Sequence, residues 1–330
     1  MNLTTESLKT AQYLVKMMDE ERQLLSAINE TYPVGSRIPA DVHKHISGWQ
    51  ITTDVLNGWE SIGRQVLSIH PGLVESLRFS GSSKIEPAVF RTLPYINPMV
   101  VFPDPPRLHS HTKGEGMRLL GFICYAKTPI PERITNTHDP EAVMFGAELL
   151  IAIDSSGKEE LECDYISFPM GGPAYTLAET VENVLSRFHW KMGDPDDRAR
   201  KKFMRDIVKL TVGSVMYLCS TTLEAEKVPR KAVLKNLNPP PRKPFSFYRV
   251  GWQIGAALSK HRAAVAVEDP SQQAHPGHQQ DPQHRKAHFK VVWTGPGSMI
   301  PKTAYVAPYW THIERLGIKG VNTVRRVVIE

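Results

Sequence analysis

Between residues 5 and 31 the apolar side chains Leu14, Met17, Met18, Leu24, Leu25 and Ile28 return at helical spacing. Glu20, Glu21 and Arg22 stand between them, and Pro33 and Gly35 end the pattern. Residues 51–69 repeat it. Val55, Trp59, Ile62 and Val66 fall at i, i+4, i+7 and i+11, one helical stripe that His70-Pro71-Gly72 stops. The chain then changes character. Pro98–Phe102, Met117–Ala126 and Val143–Ile153 are apolar runs, followed by the mixed run Glu162–Phe168. Runs apolar on both faces suit central strands covered by helices, and Asp154-Ser155-Ser156-Gly157 reads as a hairpin turn. The pattern predicts a sheet of four or five strands with some antiparallel pairing. A buried helix is the alternative for Val143–Ile153, because periodicity does not separate the two.

Two more helices follow. Thr176 and Glu179 have capping-box spacing, with Leu177, Val181, Val184, Leu185 and Phe188 as the apolar stripe behind them. Asp194-Pro195-Asp196-Asp197 opens the next helix, which is expected to reach about Cys219 with Phe203, Ile207, Leu210 and Val215 facing inward. Residues 228–247, with Pro239-Pro240-Pro241, read as a stiff linker. Tyr248–Ala264 reads as a helix, and residues 266–284 as a polar loop rich in Pro, Gln and His. In Lys286–Thr294, Phe289 and Trp293 are expected to face the core while Lys286, His288 and Lys290 face out. Thr294-Gly295-Pro296-Gly297 turns the chain, and Thr303–Trp310 returns.

The fold class is therefore α+β. N-terminal helices pack on a mixed, partly antiparallel sheet, with a basic C-terminal helix plus β-hairpin region. The expected organisation is a core region at 1–227, a Pro/basic linker at 228–247, and a basic region at 248–330 with a flexible loop at 266–283.

Charge sharpens this division. Of 40 Lys and Arg against 34 Asp and Glu, residues 221–330 hold 17 and 7, leaving 23 and 27 for residues 1–220. A basic final third suits a polyanion or an acidic partner; a solvated face that aids solubility is the plainer reading. Three scattered cysteines exclude a disulfide framework and a CxxC zinc pair. No apolar run reaches the ~18–20 residues of a membrane span, and MNLTTESLKT lacks a signal peptide's apolar core. The expectation is a cytoplasmic protein without membrane contact.

No P-loop, GxGxxG after a strand, GxSxG or HExxH motif occurs. His275, His278, His284 and His288 are close in sequence but have no thiolate beside them, so no metal and no cofactor are expected. His284, Arg285, Lys286, His288 and Lys290 offer bases and cations, but the nearest carboxylates are Glu268, Asp269 and Asp281 on the polar loop. That is a weak nuclease constellation, and no catalytic residue is assigned. Arg249, Lys260, Arg262, Arg285, Lys286, His288 and Lys290 are the candidate binding residues, as outward cations on a strand and its preceding helix. An edge strand whose lysines discourage aggregation is the alternative.

The succession YRVGWQIGAALSKHR (248–262) and HRKAHFKVVWTGPG (284–297), closed by an aromatic return, resembles a family carried by phages, plasmids and other mobile elements. That family includes an anti-CRISPR inhibitor of type V-A effector biogenesis. RTLPYINPMVVFPDP (91–105) and MYLCS (216–220) add to the likeness, which is best in the final third. The resemblance implies a non-enzymatic counter-defence protein that binds a host or defence protein, as a nascent chain or at the ribosome, and silences its expression. RNA or DNA bound by the basic third is the alternative partner, and nuclease activity a weaker one.

Overall fold

The computed structural model describes residues 3–31, 53–78, 84–95, 97–105, 107–109, 116–127, 144–155, 158–169, 175–186, 195–235, 245–267, 283–285, 287–298, 300–307 and 309–311. The chain opens with helix α1 (Leu3–Thr31) and a second helix, α2, over residues 53–61. Strand β1 (Gln65–Ile69) runs straight into α3 (Pro71–Arg78). A short strand β2 (Lys84–Ile85) and a 3-10 turn (Pro87–Thr92) lead to β3 (Met99–Val101), β4 (Arg107–His109) and β5 (Gly116–Lys127). The long strands β6 (Met144–Ser155) and β7 (Lys158–Pro169) follow, then β8 (Tyr175–Thr176), α4 (Leu177–Leu185) and α5 (Pro195–Leu218). Next come β9 (Ala225–Lys227), α6 (Arg230–Lys235), β10 (Ser246–Val250) and α7 (Trp252–Val267). Four strands finish the described chain: β11 (Gln283–Arg285), β12 (His288–Thr294), β13 (Ile300–Val306) and β14 (Tyr309–Thr311).

The architecture is α+β. Eight strands form one mixed sheet in the order β7-β6-β5-β3-β1-β10-β9, with β4 also on β5. β1 is parallel to both β3 and β10; the remaining pairs are antiparallel. β1 is covered on both faces, as expected for a strand with parallel neighbours. Leu67 and Ile69 belong to one core with Leu73 of α3, Val181 of α4, Leu210 of α5 and Leu258 of α7. Val66 belongs to a second core with Leu8, Leu14 and Met18 of α1 and with Trp59. Ser68 points to the same side as Val66, and its hydroxyl lies 2.6 Å from that of Ser7 on α1. Burying two polar groups there is made affordable by pairing them with each other.

Many expected elements are present. Met117–Ala126 lies within β5. Of the run expected at 143–153, Met144–Ile153 is strand rather than buried helix, and β6 and β7 pair antiparallel from Met144–Pro169 to Ser155–Lys158. The Thr176 hydroxyl accepts from the Glu179 N–H at 3.1 Å while the Glu179 carboxylate accepts from the Thr176 N–H, a complete capping box on α4. In α5, Phe203, Ile207, Leu210 and Val215 are all buried. Residues 210–220 are buried without a break, because this end of α5 is enclosed on every side.

Three expectations are corrected. The stripe through 51–69 is not one helix. The helix ends where Gly63 and Arg64 take positive φ values of 98° and 52°, and Val66 belongs to β1. Ile62, assigned to the stripe, is exposed. The helix expected from Tyr248 instead begins at Trp252, because Ser246–Val250 inserts between β1 and β9 as a sheet strand. Within the expected linker, 230–235 is helical and Val228 and Val233 are buried. Residues 236–244 and 268–282, and with them Pro239–Pro241 and most of the expected flexible loop, lie outside the described residues.

Candidate functional site

Strands β12 and β13 form a separate two-stranded sheet whose register runs from His288 opposite Val306 to Thr294 opposite Ile300. Side chains alternate across it. On the inner face Phe289 and Tyr305 are buried, with ring centroids 5.4 Å apart. Tyr305 meets Tyr217 of α5 edge-on at 5.4 Å, and its hydroxyl donates to Ser76 Oγ of α3 at 2.6 Å. Burial holds the Tyr217 hydroxyl protonated well above its ordinary titration range, and its oxygen accepts from the Glu224 N–H at 3.3 Å. The hairpin is thus clamped to the helical layer by aromatic packing and one buried hydroxyl pair.

Trp293 shares this inner face by register, yet it is 49% exposed. Its expected core position is corrected. The alternation holds, but the cover is one-sided: on β13 Pro301, Thr303 and Tyr305 are all buried, while along β12 burial falls from Phe289 through Val291 to Trp293. Gly295 and Gly297, with φ of 80° and 65°, make the turn between the two strands.

The outer face carries His288, Lys290, Val292 and Thr294 from β12 and Ile300, Lys302, Ala304 and Val306 from β13. Lys290 and Lys302 are exposed, as are Val292 and Ile300. Lys302 stands opposite Val292 and diagonal to Lys290, a separation of roughly 7–8 Å. Residues 282–313 contain no Asp or Glu at all. Two ammonium groups without a carboxylate on their own sheet, next to exposed aliphatic side chains, suit binding of an acidic, partly apolar partner.

Segment 219–227 joins this hairpin to the ends of the central parallel strands. The Thr221 N–H donates to the Thr303 carbonyl at 2.8 Å, and the Tyr305 N–H donates to Thr222 Oγ1 at 3.1 Å. Two residues on, the Glu224 carboxylate accepts from the N–H groups of Gln253 and Ile254 at 2.7 and 3.1 Å, capping α7. Glu226 then takes the Arg249 guanidinium at 2.8 and 2.9 Å, directly across the β9–β10 pair. Arg249 also stacks over Trp252 at 5.2 Å, and Trp252 meets His70 edge-on at 5.5 Å.

This corner explains the spacing of the YRVGWQIG segment. Gly251 has φ of 64°, which turns β10 sharply into α7. A Cβ on Gly255 would lie 2.4 Å from His70 Nδ1, so only glycine admits the imidazole there. His70 Nδ1 in turn accepts from the Gly72 N–H at 3.0 Å at the start of α3.

The seven candidate binding residues therefore fall on separate elements. His288 and Lys290 share the outer face of β12. Arg249 lies on β10 with its charge partly met by Glu226. Lys260 is exposed on α7 and Arg262 is on the same helix. Arg285 lies on β11, opposite Tyr309 of β14, and Lys286 lies outside the described residues. Lys302, Val292 and Ile300 were not singled out from the sequence. Their signal is cross-strand: they become neighbours of Lys290 only once the β12–β13 register is known.

An open groove of about 570 Å³ lies beside α1 and includes Lys16, Asp19, Arg22, Glu60, Arg64 and Phe245. Its charges answer one another. Arg22 contacts Asp19 at 3.1 Å and Glu60 at 3.4 Å, and Glu60 reaches Arg64 at 3.6 Å. Burial lowers the Arg64 pKa against the opposing pull of Glu60. The network ties α1 to α2. Among the described residues no three of His, Cys, Asp and Glu gather as a metal site; His275 and His278 lie outside them. No helix among the described residues is long and apolar enough to cross a membrane.

The segments that carried the likeness in sequence converge. RTLPYINPMVV leads through the 3-10 turn into β3, and Thr92 Oγ1 donates to the Cys219 carbonyl, at the end of MYLCS, at 3.4 Å. Comparison with known proteins returns no match among curated proteins and none among solved structures. A family model described as AcrVA2-like, the anti-CRISPR type V subtype A2 family, matches residues 67–312. The match runs from β1 through β14 and is not confined to the final third. From the central sheet to the C-terminal strands, this chain belongs to the AcrVA2-like anti-CRISPR family.

Proposed function

We propose that the protein acts in counter-defence by binding a host defence protein through the outer face of the β12–β13 hairpin, without catalysing a reaction on it. The observation that carries this reading is the pairing of exposed Lys290 and Lys302 with exposed Val292 and Ile300, on a stretch of chain that holds no carboxylate and lies inside the family match. The finer reading, implied by the resemblance, is that the target is met as a nascent chain and that its expression falls as a result.

RNA is the alternative partner of a basic face. Sequence-tolerant binding of single strands uses aromatic platforms on which bases stack. The outer face presents aliphatic groups with only the His288 ring among them, which favours protein. Affinity capture from the native host, with and without RNase, tests the reading. A protein retained after RNase supports it. Loss of all retained protein on RNase treatment, or a salt dependence set by counterion release from nucleic acid, would transfer the assignment to RNA.

A further inference from the structure

The outer edge of β12 carries information that its face does not. β12 is paired on one side only, with β13. The far edge of β13 is already engaged, through the Ser220–Thr303 bridge and the bonds from Thr221 and Tyr305. Among the described residues no strand lies against the far edge of β12. Every second residue there presents backbone N–H and C=O groups away from β13, a template for one more strand.

Building on the binding role proposed above, we infer that the target is recognised as an extended acidic segment added antiparallel or parallel to the β12 edge. The ladder would supply affinity without regard to sequence, and the side chains would supply selectivity. On the outer face, alternate residues of the incoming strand would stand beside Lys290 and Val292. Carboxylates there would reach Lys290, and through the diagonal Lys302. On the inner face, the half-exposed indole of Trp293, opposite Pro301, offers an apolar anchor of the kind that dominates interfaces. Charge selects the occupant: no Asp or Glu stands in residues 282–313, so a basic segment meets only repulsion from the hairpin.

The test uses the full chain and synthetic octapeptides that alternate Glu or Asp with Val, Ile or Tyr. Controls are the same peptides with Lys in place of the acids. Binding is followed by fluorescence anisotropy, and amide hydrogen exchange maps the site. The acidic set should bind at least tenfold tighter than the basic set. N-methylating alternate amides along one edge of a bound peptide should weaken it at least tenfold, while methylating the other edge leaves it unchanged. Amides of residues 288–294 should gain protection. Equal sensitivity to methylation on both edges, protection elsewhere, or no preference for acidic peptides overturns strand addition. The two ideas separate cleanly. If peptides fail but Lys290→Glu with Lys302→Glu still abolishes capture of the protein target, only strand addition falls. If that double variant captures the target normally, the binding surface itself is misassigned.

Discussion

The Tyr305 hydroxyl donates to Ser76 Oγ at 2.6 Å, joining residues 229 positions apart and fixing the hairpin to α3. Both side chains are buried. Tyr305→Phe keeps the ring packing on Tyr217 and Phe289 and removes the hydroxyl that makes this bond. It should cost about 1–3 kcal/mol, because a buried hydroxyl loses its donor. Urea denaturation followed by circular dichroism measures it, and a change near zero would mean that the bond does not hold the hairpin.

Phe289 and Trp293 share a face but not a fate. Phe289→Ala should destabilise by roughly 3–5 kcal/mol, as for a large aromatic truncated in a core. Trp293→Ala should stay within about 0.5 kcal/mol, as for an exposed substitution, while weakening target capture. Equal losses of stability would place both rings in the core.

Gly255→Ala puts a methyl group onto the His70 ring, with ring atoms 2.4 and 2.6 Å from the new carbon. Overpacking of this kind costs typically 1–3 kcal/mol, and here α3 and α7 must move apart. The combination with His70→Ala should recover only part of the loss, since the imidazole is gone but the Cβ of residue 70, 2.7 Å from the new carbon, remains. A thermal melt of both variants checks it. No recovery at all would show that the imidazole is not what the methyl group meets.

Burial pushes the Cys219 thiol up to about 12, against a hydrogen bond with Thr92, and raises the fully enclosed Cys124 as well. The folded state therefore favours the neutral thiols. Their contribution to stability is complete below the unfolded thiol value of about 8.5 and is lost as pH climbs above it. Denaturant midpoints should fall between pH 9 and pH 11, and Cys219→Ala should flatten that fall. At pH 8 neither thiol should be alkylated in the folded chain, as read by mass spectrometry, and rapid labelling of either would contradict its burial.

The sequence was most informative where local chemistry alone decides the outcome. The Thr176–Glu179 capping box needs only four residues, and the β6–β7 hairpin needs two apolar runs with a short turn between them. It misled where tertiary partners override a pattern. Val66 completes a helical stripe with Val55, Trp59 and Ile62, but positive φ at Gly63 and Arg64 breaks the helix and β1 takes Val66 into the sheet. Phe247, Arg249 and Val250 are strand residues because β1 waits beside them, a contact made across 181 positions and invisible to periodicity. The candidate site was half legible. Lys290 and His288 were readable as outward cations by alternation, whereas Lys302 joins them only through the register of β13. Arg249 looked equally available in sequence and is instead held by Glu226. Trp293 was placed on the right face, but alternation cannot say which of two paired strands the core covers to its end: Pro301 opposite it is buried and Trp293 is not.

The central claim is that the outer hairpin face delivers counter-defence. Its most direct test is protection of an invading plasmid from a type V subtype A CRISPR system by the wild-type chain and by the Lys290→Glu, Lys302→Glu double variant. The two proteins should be matched in abundance and in melting temperature, since both lysines are exposed and surface substitutions usually cost less than about 0.5 kcal/mol. The account expects wild-type protection and at least a tenfold loss of it in the folded double variant. Undiminished protection by that variant would contradict it.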